Sequence, residues 1–167
     1  TLSDVNHVTC SMERGRRDAL LTVIRKSAVV EKHAVFPEGR KRLTELSQNS
    51  VDLAAQGIKV VPAKLQQDTY QMPYMQAEIG HVYLRRLLLS DKDRFLTAMD
   101  HFRDLIFQSS EKADEYVDQG LILKRGYLDM VPLNSFFIEG EFVFFDQEFC
   151  LPNYPANAIL WRAIETL

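Results

Sequence analysis

The sequence has few cysteines, no long apolar run and no excess of basic residues. Its two cysteines, Cys10 and Cys150, show no metal-binding spacing and form no disulfide framework, which indicates a reducing, cytoplasmic location. No stretch of about 18 apolar residues occurs, so the sequence predicts no membrane span. Lys and Arg together number 20 against 23 Asp and Glu, a net charge of -3, and we therefore expect no nucleic-acid partner.

What the sequence does contain is the composition of an ordinary globular protein. Hydrophobic residues make up 46% and charged residues 26% of its 167 residues, as expected for one domain or one compact two-lobed unit. No internal repeat or low-complexity linker divides the chain. Because the chain begins at Thr1 rather than at a methionine, we expect it to be a fragment of a longer protein.

The first half of the chain predicts a small β-sheet with one helix. Residues 18–35 are rich in valine and isoleucine and predict two strands around a polar turn at residues 25–27. A helix over residues 37–56 follows, since a proline stands at its start and a glycine just beyond its end. Residues 58–63 predict a short strand that is ended by Pro62, and residues 68–76 predict a further extended segment with a break at Pro73.

The second half of the chain predicts mostly helices. Residues 77–89 have a helical pattern, and Ser90 with Asp93 resembles the capping box that begins a helix. A hairpin over residues 135–146 and an amphipathic helix over residues 156–167 complete the predicted order. Strands followed by helices in this order indicate an α+β fold.

Several residues match the needs of phosphoryl transfer from ATP. That reaction requires a cation on the phosphates, a carboxylate that orients the acceptor hydroxyl, and oxygen ligands for Mg²⁺. The segment "DMVPLN" supplies Asp129 and Asn134 five positions apart, and the predicted hairpin that follows ends at Asp146. Upstream, Lys32 lies in a predicted strand just before the helix that carries Glu38.

This arrangement resembles the protein-kinase-like fold. Protein kinases carry the acceptor-orienting Asp and a metal-binding Asn in H-R-D-L-x-x-x-N, and a second metal-binding Asp in D-F-G. The sequence is most similar to the atypical kinase-like domain that accompanies methyltransferases in bacterial surface-polysaccharide (O-antigen) proteins. Those domains also carry "DQE" in place of D-F-G, and the stretch "EKHAVFPEGRKRL" is similar to their "K-x-A…E-A" segment.

The resemblance implies a two-lobed protein. Residues 1–76 would form an N-lobe-like part, a small β-sheet lobe with one helix. Residues 77–167 would form a reduced, mostly helical C-lobe-like part that contains a catalytic hairpin. Tyr74 falls in the segment that corresponds to the hinge that receives adenine.

The resemblance also implies a role for each candidate residue. Asp129 would orient the acceptor hydroxyl, and Asn134 and Asp146 would bind Mg²⁺. Lys32 would contact the phosphates of ATP, and Glu38 would anchor Lys32. The implied function is an ATP- and Mg²⁺-dependent phosphotransferase.

The sequence departs from the kinase pattern in ways that affect both substrate and activity. Tyr127 and Leu128 replace the histidine and arginine before the catalytic Asp, and "SMERGRRDA" has a single glycine, Gly15, where a glycine-rich loop is expected. About 20 residues follow Asp146, too few for a platform that binds a peptide, so we expect a carbohydrate or other small hydroxyl acceptor. The resemblance implies a neighbouring methyltransferase or glycosyltransferase domain as a partner. Two alternatives remain: an inactive kinase-shaped binding or scaffold module, and an α+β protein of unrelated fold.

Plainer roles are also open for the individual residues. Asp129 and Asn134 suit a turn around Pro132, and Asp146 could cap the end of a strand. Lys32 could be an edge-strand lysine that discourages aggregation. Glu38 suits a helix N-terminus, where an acid is favoured. Two further glutamates complete the candidates: Glu45 as a second possible partner of Lys32, and Glu148 as either a third metal-site carboxylate or a surface acid.

Overall fold

The computed structural model describes residues 2–116, 118 and 120–167. Helices and strands are mixed along these residues, which confirms the α+β class. The α-helices are α1 (Arg40–Ala55), α2 (Gly80–Ser90), α3 (Lys92–Gln108) and α4 (Ala156–Glu165). The strands are β1 (Val5–Cys10), β2 (Leu20–Arg25), β3 (Val29–Ala34), β4 (Lys64–Gln66), β5 (Thr69–Pro73), β6 (Glu78–Ile79), β7 (Lys112–Tyr116), β8 (Gly120–Tyr127), β9 (Ser135–Ile138), β10 (Glu141–Phe144) and β11 (Cys150–Pro155).

The chain divides into two compact units. The first unit comprises Thr1–Ser50 and Val61–Gln76, and the second comprises Val51–Val60 and Ala77–Leu167. Each unit has a hydrophobic core of its own. The kinase-like identity of the two units stays a prediction.

The first unit is built on a five-stranded antiparallel sheet in the order β1-β2-β3-β5-β4. The hairpin of β2 and β3 contains the polar turn that the sequence predicts. Leu20 on β2 and Tyr70 on β5 pack with Leu43 and Leu46 of α1. This packing covers one face of the sheet with the helix, so that residues on that face become buried.

Residues 58–63 do not form the strand that the sequence predicts. Val60 makes a single parallel bridge with Phe144, and the paired strand begins only at Lys64. Ile58 and Val61 are each 2% exposed, so the apolar pattern of this stretch reflects burial of its side chains rather than strand pairing.

The second unit combines α2, α3 and α4 with two three-stranded sheets. One sheet has the order β10-β9-β6 and the other β11-β8-β7. Residues from the helices and from both sheets share one core, whose fully buried members include Leu84, Leu87, Phe102, Ile106, Leu123, Phe144 and Ile159. This common core fixes the loop after β8 and the hairpin of β9 and β10 on one body.

The predicted capping box at Ser90 is wrong by one residue. Ser90 ends α2, and its hydroxyl donates to the Arg86 carbonyl oxygen over 2.8 Å. Asp91 is the N-cap of α3, and its carboxylate accepts the Arg94 N–H at 3.1 Å. Ser, Asp and Asn are all favoured at an N-cap, so adjacent polar residues at a helix junction compete for the position.

The hairpin of β9 and β10 turns at Glu139 and Gly140, which have φ values of 51° and 87°. Positive φ at both central residues is typical of a type I′ turn, whose twist matches that of the flanking strands. The register pairs Ser135 with Phe144. The hairpin therefore brings Phe144, its last residue, beside Ser135, its first residue, which directly follows Asn134.

Candidate functional site

The loop between β8 and β9 brings Asp129 and Asn134 into contact. β8 ends at Tyr127, and a 3-10 turn over Pro132–Asn134 leads directly into β9. The Asn134 side-chain amide donates to the Asp129 carbonyl oxygen at 3.3 Å. The five-residue spacing of Asp129 and Asn134 is thus the length of a loop whose two ends are joined by this hydrogen bond.

Asp146 follows the hairpin and has an unusual backbone conformation. The Phe145 N–H donates to the Asn134 carbonyl oxygen at 3.0 Å, which places the start of this segment against the loop. Asp146 itself has φ of 59°, a left-handed conformation that Asp and Asn adopt more often than most other residues apart from glycine. Asp146 directly follows the residue that hydrogen-bonds to the loop, and its backbone turns in this conformation.

Residues 147–149 hold Asp129 from the other side. The Gln147 side chain is 1% exposed, and its amide donates to the carbonyl oxygens of Asp129 at 2.8 Å and Phe145 at 2.9 Å. The Phe149 N–H donates to Asp129 Oδ2 at 2.8 Å, and the Leu128 N–H donates to the Phe149 carbonyl oxygen at 3.0 Å. The middle residue of "DQE" is therefore a structural link between the loop and the hairpin.

The surroundings of Asp129 raise the pKa of its carboxyl group to about 6. Burial is the main cause, because Asp129 is 7% exposed. The Phe149 N–H lowers the pKa, the negative charges of Glu148 and Asp146 raise it, and the Arg162 guanidinium lowers it. A carboxyl group with a pKa slightly below neutral is ionised at pH 7 and can still accept a proton from a bound hydroxyl.

The oxygen atoms near this loop suit Mg²⁺. Asn134 commits its side-chain nitrogen to Asp129, which leaves its amide oxygen as the atom that can coordinate a cation. Asp146 offers a carboxylate, and Mg²⁺ completes such sites with water and phosphate oxygens. Among the residues that the structure describes, no three His, Cys, Asp or Glu side chains form a cluster that could hold a metal by themselves.

Lys32 lies in the first unit and is not an edge-strand lysine. β3 is the central strand of its sheet, and Lys32 is 5% exposed. It stands opposite Tyr70 in the register of β3 and β5, on the face that α1 covers. Because β3 is a central strand and Lys32 is buried, the alternative of an edge-strand lysine that discourages aggregation is wrong. A buried ammonium group requires compensating polar contacts.

The two glutamates considered as partners of Lys32 are both paired with other residues. Glu38 lies on an exposed 3-10 turn and forms an ion pair with Arg16 Nε at 3.0 Å. Glu45 on α1 forms ion pairs with Arg42 at 2.7 Å and with Lys41 at 3.7 Å. The anchoring of Lys32 by Glu38 stays a prediction.

Tyr74 also lies in the first unit, one residue beyond β5. Its N–H donates to the Ala28 carbonyl oxygen at 2.9 Å, and its side chain is exposed. The backbone bond extends the pairing of this segment with the β2–β3 turn. The contact of Tyr74 with adenine stays a prediction.

No protein-family model matches the chain, and no curated protein sequence is similar to it. A solved structure with some likeness is the macrolide 2′-phosphotransferase MphH from Brachybacterium faecium, an apoenzyme. The two chains are 12% identical, the match covers 98% of this chain and 77% of that chain, and the TM-score is 0.49. A likeness of this size identifies neither a fold family nor a substrate.

Within the described residues, none of the helices combines the length and the apolar character needed to cross a bilayer.

Proposed function

We propose that the chain is a protein-kinase-like domain that transfers the γ-phosphoryl group of ATP to a hydroxyl acceptor. The observation that carries the proposal is the closed arrangement of Asp129, Asn134 and Asp146, in which the loop and the segment after the hairpin hydrogen-bond to each other. A buried, oriented carboxylate at Asp129 with half-buried Asn134 and Asp146 nearby has the chemistry that phosphoryl transfer requires.

Asp129 is the proposed acceptor-orienting residue. Its Oδ2 accepts the Phe149 N–H, so the carboxylate has a fixed direction before any substrate binds. The acceptor hydroxyl would donate its proton to this carboxylate as its oxygen bonds to the γ-phosphorus. The bond between the γ-phosphorus and the oxygen that bridges to the β-phosphate breaks in the same transfer, and ADP leaves.

Asn134 and Asp146 are the proposed ligands of Mg²⁺. When bound, the metal ion would neutralise charge on the phosphate oxygens. In the first unit, the resemblance to kinase-like proteins assigns the phosphate contact to Lys32 and the adenine contact to Tyr74. It also assigns the anchoring of Lys32 to Glu38, although Glu38 is paired with Arg16 in this structure.

The acceptor is proposed to be a carbohydrate or another small molecule. Three residues separate Asp146 from β11, which pairs at once with β8, so this segment includes no long loop that could hold a peptide. The setting in cytoplasmic surface-polysaccharide synthesis, beside a methyltransferase or glycosyltransferase domain, is proposed on the resemblance described above.

Replacement of Asp146 by asparagine tests the proposal. Asn tolerates the left-handed conformation, so Asp146→Asn should keep the fold and remove Mg²⁺-dependent turnover of ATP. Asp68→Asn is the matched control, because Asp68 is an exposed aspartate with φ of 63°. Circular dichroism and the Tm report the fold. Equal Mg²⁺-dependent turnover in the Asp146 variant and the wild type would refute the role of Asp146.

The second candidate function is a kinase-shaped binding or scaffold module without catalysis. It is favoured by the β1–β2 connection, in which Gly15 is the single glycine, and by Tyr127 and Leu128 before the candidate catalytic residue. A thermal-shift titration with ATP and Mg²⁺ followed by an assay of transfer separates the two functions. Binding at a hundredfold excess over Kd should stabilise the protein by about 2.7 kcal/mol. Stabilisation without transfer would favour a binding module, and no shift would favour a scaffold.

A further inference from the structure

Arg162 on α4 contacts the candidate catalytic loop from a distant part of the sequence. Its Nε donates to the Leu128 carbonyl oxygen at 2.9 Å, and its Nη2 lies 3.8 Å from Asp129 Oδ1. One planar guanidinium therefore reaches both the backbone before Asp129 and the side chain of Asp129 itself.

The remaining polar atoms around Asp129 are held by the loop and by the segment after the hairpin. The Asp129 carbonyl oxygen accepts from the side chains of Asn134 and Gln147 and from the Val131 N–H. Asp129 Oδ2 accepts the Phe149 N–H. Arg162 contacts two other oxygen atoms of this loop, the Leu128 carbonyl oxygen and Asp129 Oδ1.

The helix that carries Arg162 is firmly attached to the second unit. Ala156, Ile159 and Ala163 of α4 are fully buried in the core. The Arg162 side chain is 53% exposed, so it reaches the loop across the surface of the unit rather than through the core. A guanidinium on a fixed helix can hold two acceptors in a defined geometry, which a single ammonium group cannot do.

We propose that Arg162 is a positioning residue for Asp129. It fixes the direction of the Asp129 carboxylate by holding the Leu128 carbonyl oxygen and lying beside Oδ1, and thereby couples α4 to the catalytic loop. This role rests on the proposed function for its effect on turnover, but its geometric part is measurable without activity.

The kinetic test compares Arg162→Gln and Arg162→Lys with the wild type. Loss of orientation should lower kcat by about tenfold in Arg162→Gln while KM for ATP stays unchanged, because misplacement of a reacting group affects chemistry more than binding. Arg162→Lys should recover part of the loss. Arg86→Gln is the control, since Arg86 is an exposed arginine of the same unit in an ion pair with Glu78. Unchanged kcat in Arg162→Gln would overturn the proposal.

The second test uses amide hydrogen exchange of the same proteins. The Phe149 N–H is bound to Asp129 Oδ2, so a carboxylate that reorients should release it. Faster exchange at Phe149 in Arg162→Gln, with unchanged exchange in the core of α3, would support positioning even if the wild type transfers no phosphate. Unchanged exchange at Phe149 would overturn positioning, whether or not the protein is an enzyme.

Discussion

The two units differ in how they hold their candidate site residues. In the second unit, one continuous stretch of chain carries Asp129, Asn134 and Asp146, and its loop and hairpin are joined by hydrogen bonds. In the first unit, separate elements carry Lys32 and Glu38. In the second unit the loop and the hairpin contact each other directly. In the first unit, the carboxylate of Glu38 faces an arginine on the β1–β2 connection. A short loop that is hydrogen-bonded to a hairpin restricts the positions of its side chains. An exposed ion pair between a sheet and a helix restricts them less.

The difference has a physical basis in local chain geometry. Backbone hydrogen bonds in the second unit join residues that a hairpin must bring together, so the positions follow from turn and register. Ion pairs at an exposed surface contribute little to the free energy of folding. The following predictions test this comparison, from the largest expected effect to the smallest.

Asp129→Asn should raise stability in a pH-dependent way. The pKa of Asp129 is about 6 in the folded protein and about 3.8 in the unfolded protein. Between about pH 4 and pH 6, the carboxyl group is therefore protonated in the folded state and ionised in the unfolded state. As pH rises through 4 to 6, the wild type loses up to about 3 kcal/mol relative to a neutral asparagine. Asparagine keeps an oxygen for the Phe149 N–H.

Urea unfolding with EDTA at pH 4 and pH 7 measures this effect. The gain of Asp129→Asn should be present at pH 7 and small at pH 4, where Asp129 is protonated in the folded state. Burial is the main cause of the raised pKa; the Phe149 N–H lowers the pKa, the charges of Glu148 and Asp146 raise it further, and Arg162 lowers it. An equal change in the free energy of unfolding at both pH values would show that burial does not control this carboxyl group.

Gln147→Leu should destabilise the second unit by about 1–3 kcal/mol, because it removes the side-chain donor to the Phe145 carbonyl oxygen and one of the donors to the Asp129 carbonyl oxygen. The matched control is Gln71→Leu in the first unit, where the side-chain amide donates to Glu31 at 3.2 Å in a half-buried site. We expect the control to change stability less. Urea unfolding of both variants measures the difference, and equal losses would contradict the tighter closure of the second unit.

Glu38→Gln should have the smallest effect. Its carboxylate is exposed and paired with Arg16, so Glu38→Gln and Arg16→Gln should change the transfer rate equally little. Steady-state kinetics with ATP measures both. A large loss in Glu38→Gln alone would assign the glutamate to Lys32, as the resemblance to kinase-like proteins implies, and would remove the contrast between the two units.

Parts of this structure could be read from the sequence because they depend on local pattern. The β2–β3 pair and the hairpin of β9 and β10 each combine strand-forming residues with a polar turn. β4 could not be predicted, because "KLQ" is short and polar and becomes a strand only through its pairing with β5. The position of the α3 N-cap was missed because Ser90 and Asp91 suit it equally well.

The candidate site shows the same division. The sequence predicts a turn around Pro132 for Asp129 and Asn134, and the structure has a 3-10 turn over Pro132–Asn134. The contributions of Gln147 and Arg162 could not be predicted, because each depends on a contact with residues that are remote in sequence. Likewise, the burial of Lys32 depends on the order of strands in the sheet, which a strand pattern alone does not specify.

The most direct test of the proposed function is the rate of phosphoryl transfer from labelled ATP in Asp129→Asn, with Asp68→Asn as control. Loss of the acceptor-orienting carboxylate should reduce the rate by about 10²–10⁴-fold while the protein stays folded, as expected for removal of a general base. The control should transfer at the wild-type rate. Transfer by Asp129→Asn at the same rate as the wild type would contradict a catalytic role for the loop and hairpin of the second unit.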